Sequence, residues 1–335
     1  MNISKVALWG ATLAMLGVLV GCSLFSLIAP APQVPPAVIA KPKKTYQDLV
    51  VGYAQIGAES DWRTGNTASV KEAAEKLGVE LKFSDAQQKQ ENQIAAIRSF
   101  IAMKVDVIGV PPVVETGWDT VFKEAKDAGI PIILVDRRAD VPDDLYVTGL
   151  GSDFVEEGRN AARVMAKLVN GQANIVELVG TIDSAPANDR YKGFREILKD
   201  YPDMRIIDSL SGDFTRAKGK EVMEILLRKH GKTITAVFAH NDDMAIGAIK
   251  AIEEYGLNPG VDIKIVSIDS VRAAFEAMIA GKLNATVECN PLLGPDFFEL
   301  ALKVVNGEPV PKWVYSKESI FLPENAKDIL PTRRY

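Results

Sequence analysis

The chain has 335 residues, 47% of them hydrophobic and 25% charged, a composition that builds globular domains and speaks against a disordered protein. Its formal net charge of −5 and the lack of a Lys/Arg stripe speak against nucleic acid as a partner. Two cysteines and two histidines rule out a disulfide framework and leave no ligand set for a zinc centre, so neither a metal nor a cofactor is expected.

The amino terminus reads as a targeting segment. Lys5 precedes an apolar stretch over residues 6–20, and Leu19-Val20-Gly21-Cys22 follows. That tetrapeptide is similar to a bacterial lipobox, which makes residues 1–22 a lipoprotein signal peptide and Cys22 the lipidated first residue of the mature chain. The competing reading is an uncleaved anchor, because the apolar run continues to Ala29 and is long enough to span a bilayer as a helix. In both readings the body lies outside the cytoplasmic membrane, periplasmic or on the outer face, and is tethered to it. Residues 23–47 include Pro30, Pro32, Pro35, Pro36 and Pro42 and read as an extended tether without a core.

From Asp48 onward strand and helix patterns alternate. A strand over residues 50–56 is followed by an amphipathic helix over 66–77 with Val70, Ala73, Ala74 and Leu77 on one face and Gly78 as its stop. Then come a strand at 81–83, a helix over 91–103, a strand over 105–110 ended by Pro111-Pro112, a helix around Trp118 to Ala125, and a strand over 131–135. After Gly149-Leu150-Gly151-Ser152 the pattern begins again: helix 155–169, strand 175–179, helix 190–199, strand 205–207, helix 218–228, strand 236–239, helix 244–255, strand 264–268, helix 271–280 and strand 286–287. A helix over 295–305 and one last strand over about 314–322 close the chain. The repeated βα unit predicts an α/β fold of two Rossmann-like parallel-sheet lobes with a cleft between them.

Polar residues recur where the apolar runs end. Glu59, Ser60, Trp62 and Arg63 follow the first strand, and Asp136-Arg137 follow the strand over 131–135. Arg190, Asn241, Asp269 and Glu288 stand beyond strands of the second lobe, with Phe214 in the loop Ser211-Gly212-Asp213-Phe214-Thr215. In an open parallel sheet, ligands bind beyond the carboxyl ends of the strands. Carboxylates that accept, forked Arg donors, an Asn that does both, and aromatic plates suit a sugar, with its hydroxyls and apolar C–H faces. Each residue also has a plainer reading: Asp136-Arg137 as a surface ion pair, Arg190 as a partner of Asp189, Phe214 as a plug of its lobe. Asp242-Asp243 read as helix-capping charges, Gln87 to Gln90 as a helix-start loop, and Cys289 as a small residue at a strand end. Catalysis finds little support, because there is no nucleophile elbow and no phosphate-binding glycine loop. A glycosidase dyad is disfavoured because two arginines would keep both carboxylates ionised.

At these residues the chain resembles the sugar-binding proteins of bacterial ABC importers, of the ribose- and galactose-binding type, and within them the galactofuranose-binding branch. The resemblance spans roughly residues 49–330. It is carried by Gln55-Ile56-Gly57-Ala58-Glu59-Ser60-Asp61-Trp62-Arg63, Gln87-Gln88-Lys89-Gln90-Glu91-Asn92-Gln93, Pro112-Val113-Val114 with Gly117-Trp118, Ser211-Gly212-Asp213-Phe214-Thr215-Arg216 and Ala239-His240-Asn241-Asp242-Asp243-Met244. It implies two lobes joined by a multi-strand hinge of three crossovers, residues 48–151 with 289–316 forming one and 152–288 with 317–335 the other. It also implies a monosaccharide ligand, a furanose such as galactofuranose, held by Glu59, Ser60, Trp62, Arg63, Asp136, Arg137, Arg190, Asn241, Asp269 and Glu288 with Phe214 as a lid aromatic, and a permease as partner. The alternative on the same fold is a ligand-sensing receptor of a chemotaxis or sensor-kinase system. Asp61 is a departure, since the branch has Gly there, and an added carboxylate beside Trp62 and Arg63 is expected to alter selectivity.

Overall fold

The computed structural model describes residues 42–335, so the signal peptide, Cys22 and nearly all of the expected tether lie outside the described residues. The end of that tether is already part of the body: the Lys44 N–H donates to Asn306 Oδ1 at 2.8 Å, and the Lys44 ammonium reaches Asp106. Among the described residues no helix is long and apolar enough to cross a membrane.

The first lobe is built from β1 (Val50–Gln55), α1 (Asp61–Leu77), β2 (Glu80–Asp85), α2 (Gln90–Met103), β3 (Val107–Val110), α3 (Asp119–Asp127), β4 (Ile132–Val135) and β5 (Thr148–Gly151). The second follows with α4 (Phe154–Leu168), β6 (Ala173–Val179), α5 (Ala185–Leu198), β7 (Met204–Ser211), α6 (Arg216–His230), β8 (Ala236–Ala239), α7 (Asp242–Glu254), β9 (Lys264–Asp269), α8 (Arg272–Ile279) and β10 (Ala285–Glu288). The chain closes with α9 (Gly294–Val305), β11 (Trp313–Tyr315), β12 (Ile320–Phe321) and α10 (Pro323–Ile329).

Two six-stranded sheets result, ordered β2-β1-β3-β4-β5-β11 and β7-β6-β8-β9-β10-β12. All pairings are parallel except β10 with β12. Central strands such as β3, β4 and β8 are buried at every position, as their unbroken apolar runs require in a sheet covered on both faces. The strand order reverses at β1/β3 in one sheet and at β6/β8 in the other. Those are the points where adjacent connecting helices leave to opposite faces and a crevice opens at the carboxyl ends.

Core packing fixes the sheets. Phe297 from α9 stands edge-on to Tyr53 of β1, centroids 5.4 Å apart, over Gly109 of β3, where a Cβ would lie 2.5 Å from the Phe297 ring. In the second lobe Phe194 of α5 stacks on Phe238 of β8 at 4.0 Å. Truncating any of these rings to Ala removes a fully buried plate worth about 3–5 kcal/mol.

The chain passes from one sheet to the other three times, between β5 and α4, between β10 and α9, and between β11 and β12. The passages are bonded to each other. Ser152 in the first bonds Glu318 in the third, and Glu318 Oε1 also accepts the Asn290 N–H of the second at 3.2 Å. Three expectations are corrected. The last strand is two short strands in different sheets, because the third passage lies between them. Residues 148–151 form β5 rather than a mere junction. Residues 323–329, where no helix was expected, form α10, opened by Pro323 at its first position.

Candidate functional site

Ser60 accepts the Arg63 N–H at 3.1 Å and caps α1, so the helix begins at Asp61 rather than near Asn66, and Trp62 and Arg63 lie in its first turn. Arg63 donates from Nε to Glu59 at 3.1 Å and from Nη2 to Asp136 at 2.7 Å. Asp136 follows β4 in the left-handed region (φ 65°), and this bend turns its carboxylate back toward α1. Gly151 lies against it. With φ at 147° and its would-be Cβ 2.9 Å from the Asp136 Cα, position 151 accepts only glycine without strain. Arg137 donates to the Val113 carbonyl at 3.0 Å and lies 3.7 Å from Glu59.

The second lobe presents its own set. Arg190, in the second turn of α5, donates to Glu157 of α4 at 2.7 Å and to the His240 carbonyl at 2.6 Å, and lies 3.6 Å from Asp269 at the end of β9. Asn241 caps α7: its oxygen accepts the Met244 N–H and its amide donates to the Phe214 carbonyl, both at 3.0 Å. Phe214 (φ 60°) and Asp269 (φ 124°) also hold left-handed backbone, strain of the kind that concentrates at functional sites. The Phe214 ring packs where Gly180 leaves room, with the Arg137 guanidinium 5.2 Å and the Arg190 guanidinium 5.9 Å from its centroid.

These residues enclose one small cavity between the sheets. It is lined by Glu59, Ser60, Trp62, Arg63, Asp136, Arg137, Arg190, Phe214, Asn241 and Asp269, which are ten of the eleven positions the sequence singled out. Pro186 and Cys289 line it as well and were missed. The Cys289 carbonyl accepts the Trp62 indole N–H at 2.7 Å, so the second passage between lobes is pinned to α1.

Glu288 is not among the lining residues. Glu288 is the last residue of β10, and its side chain is held away from the cavity by partners at the chain's end. Its carboxylate accepts from Arg333 at 2.6 Å and from the Ser319 N–H at 3.1 Å. Asp61 is not a lining residue either, and its carboxylate meets Arg216. Asp242 is buried beneath α7, where it accepts from Ser267, Thr286 and the Val271 N–H.

Burial and charge act against each other throughout. Burial, opposed by Arg190, raises the Asp269 carboxyl well above the usual carboxylate range. Burial, with Arg63 close by, brings Arg137 down to about 10. At Arg63 burial is outweighed by Asp136 and Glu59, which hold it firmly charged. Among the described residues Glu59 Oε2, Arg63 Nη1 and Arg137 Nε are buried lining atoms without a hydrogen-bond partner, and Glu157 Oε1 is a fourth behind Arg190. An unpaired buried polar atom costs about 1–3 kcal/mol. Three of them around one cavity leave both donors and acceptors turned toward it.

The family profile of the periplasmic binding protein domain matches residues 51–309. The chain belongs to that family. As a periplasmic binding protein it works outside the cytoplasm, and its relatives are solute-binding proteins rather than enzymes. It is 49% identical to the galactofuranose-binding protein YtfQ of Escherichia coli, over 85% of this chain and 92% of that one. Among solved structures, one from Mycobacterium smegmatis in complex with β-D-fucofuranose is 52% identical with a TM-score of 0.83, covering 86% of this chain and 95% of that one. The arabinose-binding component of a Shewanella sp. ANA-3 ABC transporter, bound to α- and β-L-arabinofuranose, is 47% identical with a TM-score of 0.83, over 85% of this chain and 95% of that one.

Proposed function

We propose that this periplasmic binding protein is a receptor that captures a monosaccharide in its furanose form, of the galactofuranose, fucofuranose or arabinofuranose kind, and delivers it to an ABC transporter permease. The observation that carries the reading is the cavity wall: unpaired Glu59, Arg63 and Arg137 atoms under two aromatic rings, Trp62 and Phe214. Glu59, Asp136 and Asp269 accept from sugar hydroxyls, Arg63, Arg137 and Arg190 donate to them, Ser60 and Asn241 do either, and the rings cover the C–H faces. Relatives named for three different furanoses support the ring form. Since the wall is contributed by both lobes, the ligand binds the closed arrangement better than any open one and shifts the population toward it. The closed form is what the permease recognises.

A ligand that binds only the folded state raises the melting temperature. A panel of pentoses and hexoses is expected to give a shift with furanose-forming sugars, lost in Asp136→Ala. No shift with any sugar would overturn the reading. A lipid anchor at Cys22 belongs to the same proposal and rests on the lipobox-like Leu19-Val20-Gly21-Cys22. Mass spectrometry of the membrane-extracted chain should find a diacylated amino terminus, absent from Cys22→Ala.

A further inference from the structure

The two lobes also meet outside the cavity. Asp61 opens α1 in the first lobe; Arg216 opens α6 and Asp243 lies in the first turn of α7, both in the second. Arg216 Nη2 donates to Asp61 Oδ2 and to Asp243 Oδ1, each at 2.7 Å, and its Nε donates to Asp243 Oδ1 at 3.0 Å. Asp243 Oδ2 accepts the Asp61 backbone N–H at 2.8 Å. None of the three lines the cavity. On another stretch of the interlobe seam Asn188 donates to Glu115 and Arg138 to Asp189, each at 2.6 Å, and the Glu115 N–H donates to the Asp183 carbonyl at 2.9 Å.

We propose that Asp61, through Arg216 and Asp243, latches the lobes together and sets how long the ligand is held, without affecting which ligand is chosen. The inference rests on the receptor reading above. Arg216 and Asp243 stay paired when the lobes part, because both belong to the second lobe. Of these three residues, only Asp61 makes and breaks its contacts as the lobes close and part. Asp61 is therefore a positioning residue that biases the closed state, and its carboxylate at the amino end of α1 is further favoured by the helix dipole. The Asp61 and Arg216 side chains are 53% and 45% exposed, so the pair is screened by salt. The consequence is unusual for an uncharged cargo: the release rate of a neutral sugar rises with ionic strength.

The test is stopped-flow release of L-arabinose and of D-galactose, followed by tryptophan fluorescence, at ionic strengths from about 0.02 to 0.5 M. The native protein should release sugar faster as salt rises. Asp61→Ala should release about two- to fivefold faster than native at low salt, as suits one exposed ion pair, and with a weaker salt response. Asp61→Glu should restore much of the native behaviour. The melting temperature without sugar should fall only slightly in Asp61→Ala, by no more than the loss of one helix-end charge, and the ratio of affinities for the two sugars should be unchanged. If the native protein binds neither sugar, the receptor reading falls and the latch with it. If it binds and Asp61→Ala keeps the native rate and salt response, the latch alone falls. A changed affinity ratio would overturn it in favour of a direct part in selectivity.

Discussion

Arg190 shows what a single side chain does here. Its guanidinium joins α4, β8 and β9 through Glu157, the His240 carbonyl and Asp269, and all three side chains are buried. Removing one partner of a buried ion pair leaves uncompensated charge and costs roughly 3–5 kcal/mol. Arg190→Met is expected to lose at least about 3 kcal/mol in urea unfolding, together with sugar binding; a loss under about 1 kcal/mol would show that the network does not hold the lobe. The residue types near strand ends made Arg190, Asp136 and Asn241 legible in the sequence. Glu288 was legible as a strand-end carboxylate, but its side of the strand was not, since one residue of register decides the face. Pro186 and the Cys289 carbonyl gave no signal, because an apolar residue and a backbone oxygen carry no chemistry in the one-letter string. Asp61 was visible as an oddity, and its bond to Arg216 was not legible in the sequence.

At the level of elements, the alternation of apolar runs with amphipathic stretches placed the main strands and helices in order. The exceptions have local causes. α1 starts at Asp61, five residues before the Asn66 at which the amphipathic pattern begins, and runs through Gly65 and Asn66. Gly65 packs against Tyr335, and Asn66 is buried, bonding Gln55 and the Pro291 carbonyl. Packing there outweighs propensity. β5 was missed because Gly149 and Gly151 are poor strand formers. Both are glycine for want of space: a Cβ at 149 would lie 2.2 Å from the Trp313 ring, and one at 151 would meet Asp136. β11 and β12 merged into one expected strand because nothing in residues 314–322 announces that the chain changes sheets between them.

Across the whole molecule, the three passages between the lobes converge on Glu318. It bonds Ser152 and the Asn290 N–H and faces Glu157, with Arg190 and Cys289 near by. Burial first, then the Glu157 carboxylate, push its carboxyl up to about 9. The folded protein thus holds a proton at Glu318 over a range in which the unfolded chain, with an ordinary value near 4.5, has lost it. Stability from this group is full below about pH 4.5 and falls as pH rises toward about 9, by up to about 1.4 kcal/mol per unit. Asp242, pushed up to about 7 by burial, adds a loss of the same sign over a lower range. Glu318→Gln, which keeps the bonds without the titration, should gain on the native protein in urea unfolding from about pH 5 to pH 9. A constant difference across that range would show that Glu318 does not titrate as its surroundings dictate.

The order of the strands along the chain also has a consequence for synthesis. β11, the last strand of the first sheet, follows every strand of the second sheet except β12, and α9, which packs on α1, follows β10. As the polypeptide emerges amino end first, β5 stays an open edge until residues 313–315 arrive, when more than nine-tenths of the chain has been made. The second lobe waits longer still, for β12 and α10, so neither lobe is complete until the last strands have been made. A chain so threaded carries unpaired strand edges until its synthesis is nearly over.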